Sequence, residues 1–270
     1  MINITIVGTG NVAFHLSEIF LEREGINLME ICGRKNNLPS YFNDKINYSN
    51  NLSKLEKSDF YLICIDDDQI ENISKNIKID KHSIILHCSG STSINVLSNN
   101  FSYGVLYPLQ TFSINKSVNF NDIPIIVEGN SIESLNKIKT LGLMISGNVL
   151  KASSKQRLAI HVSAVFTNNF TNYMRIVADE ILKSNEIDTD ILNPLTLETS
   201  NKLKYLSSKD AQTGPALRND LIILITFSKI KHHNESFQIS INTFKVLFCE
   251  YDAPKRFISK IIISFLEIFL

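Results

Sequence analysis

Apolar residues fall first into short unbroken runs and later into widely spaced ones, and the two patterns predict two kinds of structure. Ile2 to Val7, Leu28 to Cys32, Phe60 to Ile65 and Ile84 to Cys88 are near-continuous apolar runs closed by polar or small residues. Such runs suit strands covered on both faces rather than half-exposed ones. Between them, Asn11 to Arg23 and Gln69 to Asn76 carry helical spacing, and Gly25 ends the first. Strands alternating with helices predict βαβ units and a mainly parallel sheet. The alternation continues through Gly104 to Tyr107, Ile123 to Val127, a helix over Ser131 to Met144 and a short strand at Asn148 to Leu150.

After Ser153 the pattern changes. No Gly or Pro occurs from Ser154 to Lys183, and Leu158, Val162, Val165, Phe166, Tyr173, Val177 and Ile181 recur at helical spacing. That predicts one long helix. A second follows over Ile187 to Leu206, then a turn-rich loop from Ser207 to Asp220 and further helices to the end. The reading is an α/β protein with a nucleotide-binding domain over residues 1–152 and an all-α domain over residues 153–270.

Composition narrows the function classes. The 270 residues are 44% hydrophobic and 20% charged, with Lys+Arg and Asp+Glu equal at 27 each. No global field draws nucleic acid or an anionic membrane. Four cysteines (Cys32, Cys64, Cys88, Cys249) are far apart in sequence and form no CxxC or Cys/His ligand pattern. This fits a reducing, cytoplasmic setting with no disulfide framework and no metal. The apolar run Phe257 to Leu270 is broken by Lys260 and Glu267 and falls short of the ~20 residues that span a bilayer. No stable membrane insertion is expected, and a packed terminal helix is the preferred reading over a membrane-surface or dimer-interface helix.

The chemistry starts at Gly8-Thr9-Gly10-Asn11-Val12-Ala13, a G-x-G-x-x-A turn directly after the first strand and opening a helix. Gly8 lets the chain turn sharply, Gly10 lets backbone approach a pyrophosphate, and Ala13 permits close helix–sheet packing. The helix N-terminus supplies N–H groups and a dipole for the phosphates. A glycine turn without ligand is the plain alternative. After the second strand stands Gly33-Arg34-Lys35-Asn36, where NAD-preferring folds place an acidic residue. Arg34 with Lys35 suits the 2′-phosphate of NADP(H), the alternative being a solvated charged turn.

With these residues in view the chain resembles a family of bacterial Rossmann-like proteins that carry a C-terminal domain of unknown function. They are named as NADP oxidoreductases and are distantly similar to pyrroline-5-carboxylate reductase and the β-hydroxyacid dehydrogenases. The matching stretches are Gly8 to Leu16, His87 to Ser93, Gly104 to Ser113, Gln156 to Asn172 and Ala211 to Asp220, while Leu221 to Leu270 matches poorly. The resemblance implies a Rossmann domain, a helical domain similar to the 6-phosphogluconate dehydrogenase C-terminal domain, a cleft between them and a homodimer built on the helical part. It implies no substrate.

Ligands of open α/β sheets bind at the carboxyl ends of strands. Ser89, after the strand ending near Cys88, joins Gly8, Thr9, Gly10, Asn11, Val12 and Arg34 as a candidate cofactor contact. Pro108-Leu109-Gln110-Thr111 resembles a stretch near the nicotinamide in pyrroline-5-carboxylate reductases, which implies an orienting role for Gln110 and Thr111. Asp66, Asp67 and Asp68 read as a solvated turn and helix cap. His15 reads as a packing residue, and His87 lies at a strand end near the site.

Arg157, His161, Asn168, Asn172 and Arg175 recur at steps that place them on one polar stripe of the long helix. His161 and Asn168 are candidates for the parts that a lysine and an asparagine play in the β-hydroxyacid dehydrogenases, with His161 as proton donor. A solvent-facing stripe, or a histidine satisfied in a dimer interface, is the alternative. Asn172, Thr213 and Arg218 are candidate substrate contacts, Arg218 through bidentate pairing with a carboxylate. The expectation is an NADP(H)-dependent oxidoreductase acting on a small keto, imino or hydroxy acid. The alternative is a catalytically inactive NADP(H)-binding regulatory or structural protein.

Overall fold

The computed structural model describes residues 1–213. Eight strands form one sheet in the order β3-β2-β1-β4-β5-β6-β7-β8. They are β1 (Ile2–Val7), β2 (Ile26–Cys32), β3 (Tyr48–Ser49), β4 (Phe60–Ile63), β5 (Ile84–His87), β6 (Tyr103–Pro108), β7 (Ile125–Gly129) and β8 (Val149–Lys151). All neighbours pair in parallel except β6 and β7, which run antiparallel with Gly104 opposite Gly129. The helices between them are α1 (Asn11–Glu22), α2 (Ile70–Asn76) and α3 (Ile132–Ile145).

The near-continuous apolar runs are explained by burial on both faces. Ile4, Ile6, Phe60, Leu62, Ile84 and Leu86 pack on one face with Leu16 and Phe20 of α1 and with Ile138 and Leu141 of α3. The alternate residues Val7, Tyr61, Ile63 and Ile85 pack on the other with Ile70 and Leu97. The period of two therefore sorts residues between two cores, not between core and water. Strand order reverses between β1 and β4, which opens a crevice at their carboxyl ends.

Two compact units divide between Asn168 and Asn169. The first contains the whole sheet and α4 (Ser154–Ala164), which begins with a Ser153–Gln156 capping box. A π-helix over Val165–Phe170 follows, then α5 (Thr171–Ser184) in the second unit. The predicted single helix is therefore three segments. Because π-turns hold more residues than α-turns, α-helical spacing from His161 to Asn172 does not survive the interruption. In the second unit, α6 (Asn193–Lys202) and α7 (Ser208–Ala211) complete the described helices. There Arg175 bonds Asp179, Asn193 Oδ1 and the Thr189 carbonyl, tying α5 to the segment before α6. No helix among the described residues is long and apolar enough to cross a membrane. Arg218, Cys249 and the run Phe257 to Leu270 lie outside the described residues.

Candidate functional site

The crevice at the strand-order reversal is a groove of about 570 Å³. Gly8, Thr9, Gly10, Asn11, Val12, Arg34 and Ser89, the seven expected cofactor contacts, all line it. Local backbone explains the glycines. Gly8 has φ of +130°, and a Cβ built there would lie 2.0 Å from the Cys64 carbonyl oxygen. Only glycine permits that turn and that approach. A Cβ on Gly10 meets nothing within 4 Å, so the space beside it belongs to the groove. Gly10 caps α1 without any side-chain hydrogen bond, leaving the first N–H groups of the helix to serve a ligand.

The walls are tied down by side chains that sequence reasoning passed over. Tyr41 donates its hydroxyl to the Thr9 carbonyl at 2.6 Å. Tyr48, on β3, donates to the Lys35 carbonyl at 2.7 Å and so fixes the turn that carries exposed Arg34. Asn11 Nδ2 donates to the Phe112 carbonyl at 2.9 Å, and His15 bonds the Ser113 carbonyl while stacking on Phe112. The loop after β6 is thereby held against the start of α1. Gln110 and Thr111 are exposed on that loop, with Gln110 Oε1 accepting from the Thr111 N–H.

Asp67 is not merely a solvated turn residue. It lines the groove and accepts hydrogen bonds from the hydroxyls of Ser89 and Ser91. Ser89 Oγ in turn accepts from the Ser91 and Thr92 N–H groups. Fully buried His87 accepts from the Ser89 N–H through Nδ1. Burial, then the nearby Arg157 guanidinium, pushes its pKa down from 6.5 to about 3 despite opposition from Asp67. A neutral imidazole therefore anchors this turn.

His161 lies on α4, one helical turn beyond Arg157. Its Nδ1 is 2.9 Å from the Tyr107 hydroxyl at the end of β6, and the rings meet edge to face. Gly90 makes room for the pair: a Cβ there would stand 2.5 Å from His161 Nδ1 and 2.8 Å from Tyr107 Cζ. Burial first, and then Asp67, pushes the Tyr107 phenol up to about 12. Tyr107 is a candidate site residue that sequence reasoning passed over. Its one available signal was its place at the carboxyl end of a strand beside Pro108.

Arg157 departs from the expected polar stripe. It is fully buried, pairs with Glu128 on β7 and donates to the Thr92 carbonyl. Glu128 also accepts from the Ser154 N–H and hydroxyl, each at 2.9 Å. This cluster fastens the first turn of α4 to the sheet and to the 89–92 turn, which fixes where His161 stands. Asn168 is exposed at the end of the first unit, and Asn172 and Thr213 are exposed in the second. The structure brings together His161, Tyr107 and the Gly90 turn within the first unit. Among the described residues no cluster of metal-ligating groups occurs.

Comparison with known proteins agrees with this architecture. Residues 123–238 match the family model described as "Domain of unknown function (DUF2520)". The crystal structure of a "putative NADP oxidoreductase" from Bacteroides fragilis is 30% identical, covers 90% of this chain and 96% of its own, and superposes with a TM-score of 0.80. The chain belongs to that family. A Thermotoga maritima protein shares the fold at 19% identity and TM-score 0.67, covering 91% of this chain and 98% of its own. An imine reductase from Myxococcus stipitatus, solved with NADP+, shares the fold at 12% identity and TM-score 0.60, covering 92% of each chain. No curated protein sequence matches the chain.

Proposed function

We propose that this family member is an NADP(H)-dependent oxidoreductase acting on a small keto, imino or hydroxy acid. The observation that carries the reading is the groove itself: a glycine turn, an uncapped helix N-terminus and Arg34 line one crevice, and its Ser89 wall runs into the Gly90 turn that makes room for the Tyr107–His161 pair. The residues present fit a dinucleotide. Gly10 leaves the cradle that a side chain would fill, α1 offers N–H groups to the pyrophosphate, and Arg34 offers a guanidinium to a 2′-phosphate. The Bacteroides relative's name and the NADP+ bound by the imine reductase support the same cofactor.

When bound, NADPH supplies a hydride to a carbonyl or imine carbon. The chain's own task is then to orient the acceptor and hand a proton to its oxygen or nitrogen. The Tyr107 hydroxyl and His161 Nδ1 share a hydrogen bond whose direction follows the imidazole tautomer, and with the phenol as donor the ring carries its proton on Nε2. His161 is the proposed proton donor, with Tyr107 holding its ring in place. Asn168 and Gln110 complete the proposed catalytic group, and Thr111 orients substrate from the neighbouring loop.

Residues 153–270 make up the proposed helical domain, and a second copy is its proposed partner. Ile191, Leu195 and Leu197 are 63–66% exposed there, apolar surface that a second copy would cover. Light scattering tests this, a monomeric mass contradicting it. The cofactor reading is tested by titrating the wild type and Arg34→Ala with NADPH and NADH. Selective loss of NADPH affinity in the variant supports it, and equal NADPH affinity in both proteins overturns it.

A further inference from the structure

Cys64 and Cys88, 24 positions apart in sequence, place their sulfurs 3.4 Å from each other. Each follows the last residue of its strand. Ile63 pairs with His87 across parallel β4 and β5, so the two cysteines continue the same register. Neighbouring strands run ~4.8 Å apart, inside the Cα separation of roughly 4.4–6.8 Å that a disulfide spans. Both side chains are more than nine-tenths buried within the protein, and both line the groove. The groove is therefore their route to small reagents. Both thiols are free, as is that of Cys32, which lines the same groove.

We propose that Cys64 and Cys88 are a reversible oxidation site whose closure into a disulfide weakens dinucleotide binding in the groove. The coupling rests on the NADP(H) reading of that groove. A peroxide supplies the oxidising equivalents. One sulfur attacks the O–O bond, forming an S–O bond and releasing water. The second sulfur then attacks the first, the S–S bond forms, and the S–O oxygen leaves with the thiol proton as a second water. Two thiols are oxidised by two electrons, and one peroxide is reduced to two waters. A dithiol reductant reverses the change.

The structure gives a reason for closure to reach the cofactor. The Gly8 turn packs on the Cys64 carbonyl so closely that it leaves no space for a side chain. The Cys64 N–H donates to the Val7 carbonyl at 2.7 Å, immediately before that turn. Cys88 directly precedes Ser89, whose hydroxyl is bound to Asp67 in the groove wall. Drawing the sulfurs together from 3.4 Å to the ~2.05 Å of a disulfide pulls on both attachments. The hydrogen bond to Cys88, followed by burial, holds the Cys64 thiol well above its ordinary range, which slows its oxidation near neutral pH. A bound dinucleotide covers the pair and protects it.

The test uses the full-length protein treated with hydrogen peroxide, with and without NADP+, followed by non-reducing peptide mapping and NADPH titration by fluorescence. The expected product joins the tryptic peptides Ser58–Lys75 and His82–Lys116. Its formation is slowed by NADP+, it weakens NADPH binding tenfold or more, and dithiothreitol restores affinity. By reciprocity each tenfold loss moves the pair's midpoint potential ~30 mV more positive at saturating NADPH. In Cys88→Ser the cross-link and the peroxide-dependent change in affinity both disappear. Peptides recovered with free or singly oxidised cysteines overturn the site, and a cross-linked protein with unchanged affinity overturns the coupling. Reduced protein that binds no NADPH overturns the cofactor reading and the coupling with it, while the peptide map still decides the cross-link.

Discussion

His87 makes the protein's stability depend on pH in a way that can be calculated. It is fully buried at the end of a central strand, its Nδ1 accepts from the Ser89 N–H, and its pKa falls from 6.5 to about 3. In the unfolded chain the same imidazole takes up a proton as pH drops through 6.5, whereas in the folded protein it stays neutral. The unfolded state then binds more protons, so stability falls as pH falls. The loss begins near pH 6.5 and is complete near pH 3. At pH 5 the unfolded imidazole is favoured by ~1.5 pK units, or ~2 kcal/mol, against only ~0.2 kcal/mol at pH 7. Urea unfolding of the wild type and His87→Leu at both pH values isolates this group from the carboxylates, which titrate alike in the two proteins. The wild type is expected to lose ~2 kcal/mol more than the variant between pH 7 and pH 5. Equal losses in both proteins would refute the reasoning, because they would mean that His87 takes up its proton in the folded state.

Other substitutions separate binding from folding. Gly10→Ala places its methyl in open groove, so stability holds while NADPH affinity falls, as calorimetry and thermal melting would show together. Gly8→Ala meets the Cys64 carbonyl at positive φ and is expected to cost more than ~3 kcal/mol in urea unfolding. Arg34→Ala removes a charge-assisted contact worth ~1.5–3 kcal/mol, so NADPH affinity drops by roughly ten- to a hundredfold in fluorescence titration while NADH affinity is unchanged. Arg157→Met leaves the partly buried Glu128 carboxylate with only its Ser154 hydrogen bonds and is expected to destabilise by ~3 kcal/mol in the same unfolding assay.

The nucleotide half was legible because its signals are local. A glycine turn between a strand and a helix, and apolar runs too continuous for half-exposed strands, each reflect physics within a few residues of sequence. β3 was not legible, since two residues, Tyr48 and Ser49, carry no periodicity. The antiparallel entry of β7 left no mark either, because strand direction depends on the connection and not on the run itself. The surroundings of His161 were less legible for a related reason. Helical spacing grouped Arg157 with His161, yet Arg157 turns inward to Glu128, and the π-helix breaks the spacing further on. Tyr107, Gly90 and the Cys64–Cys88 pair gain their meaning only from partners distant in sequence. Asp67 looked like a cap, and only the fold reveals the two hydroxyls it accepts.

In the proposed reaction the groove and the Tyr107–His161 pair act together on one substrate. The most direct measurement is NADPH oxidation against a panel of keto and imino acids by wild type, His161→Ala and Tyr107→Phe, with NADPH affinity measured alongside. Turnover is expected from the wild type, with a ~10²–10⁴-fold lower kcat in His161→Ala. A smaller loss is expected in Tyr107→Phe, with NADPH affinity preserved in all three proteins. A His161→Ala enzyme that turns over like the wild type, or a wild type that binds NADPH and reduces nothing, would contradict the proposed reaction.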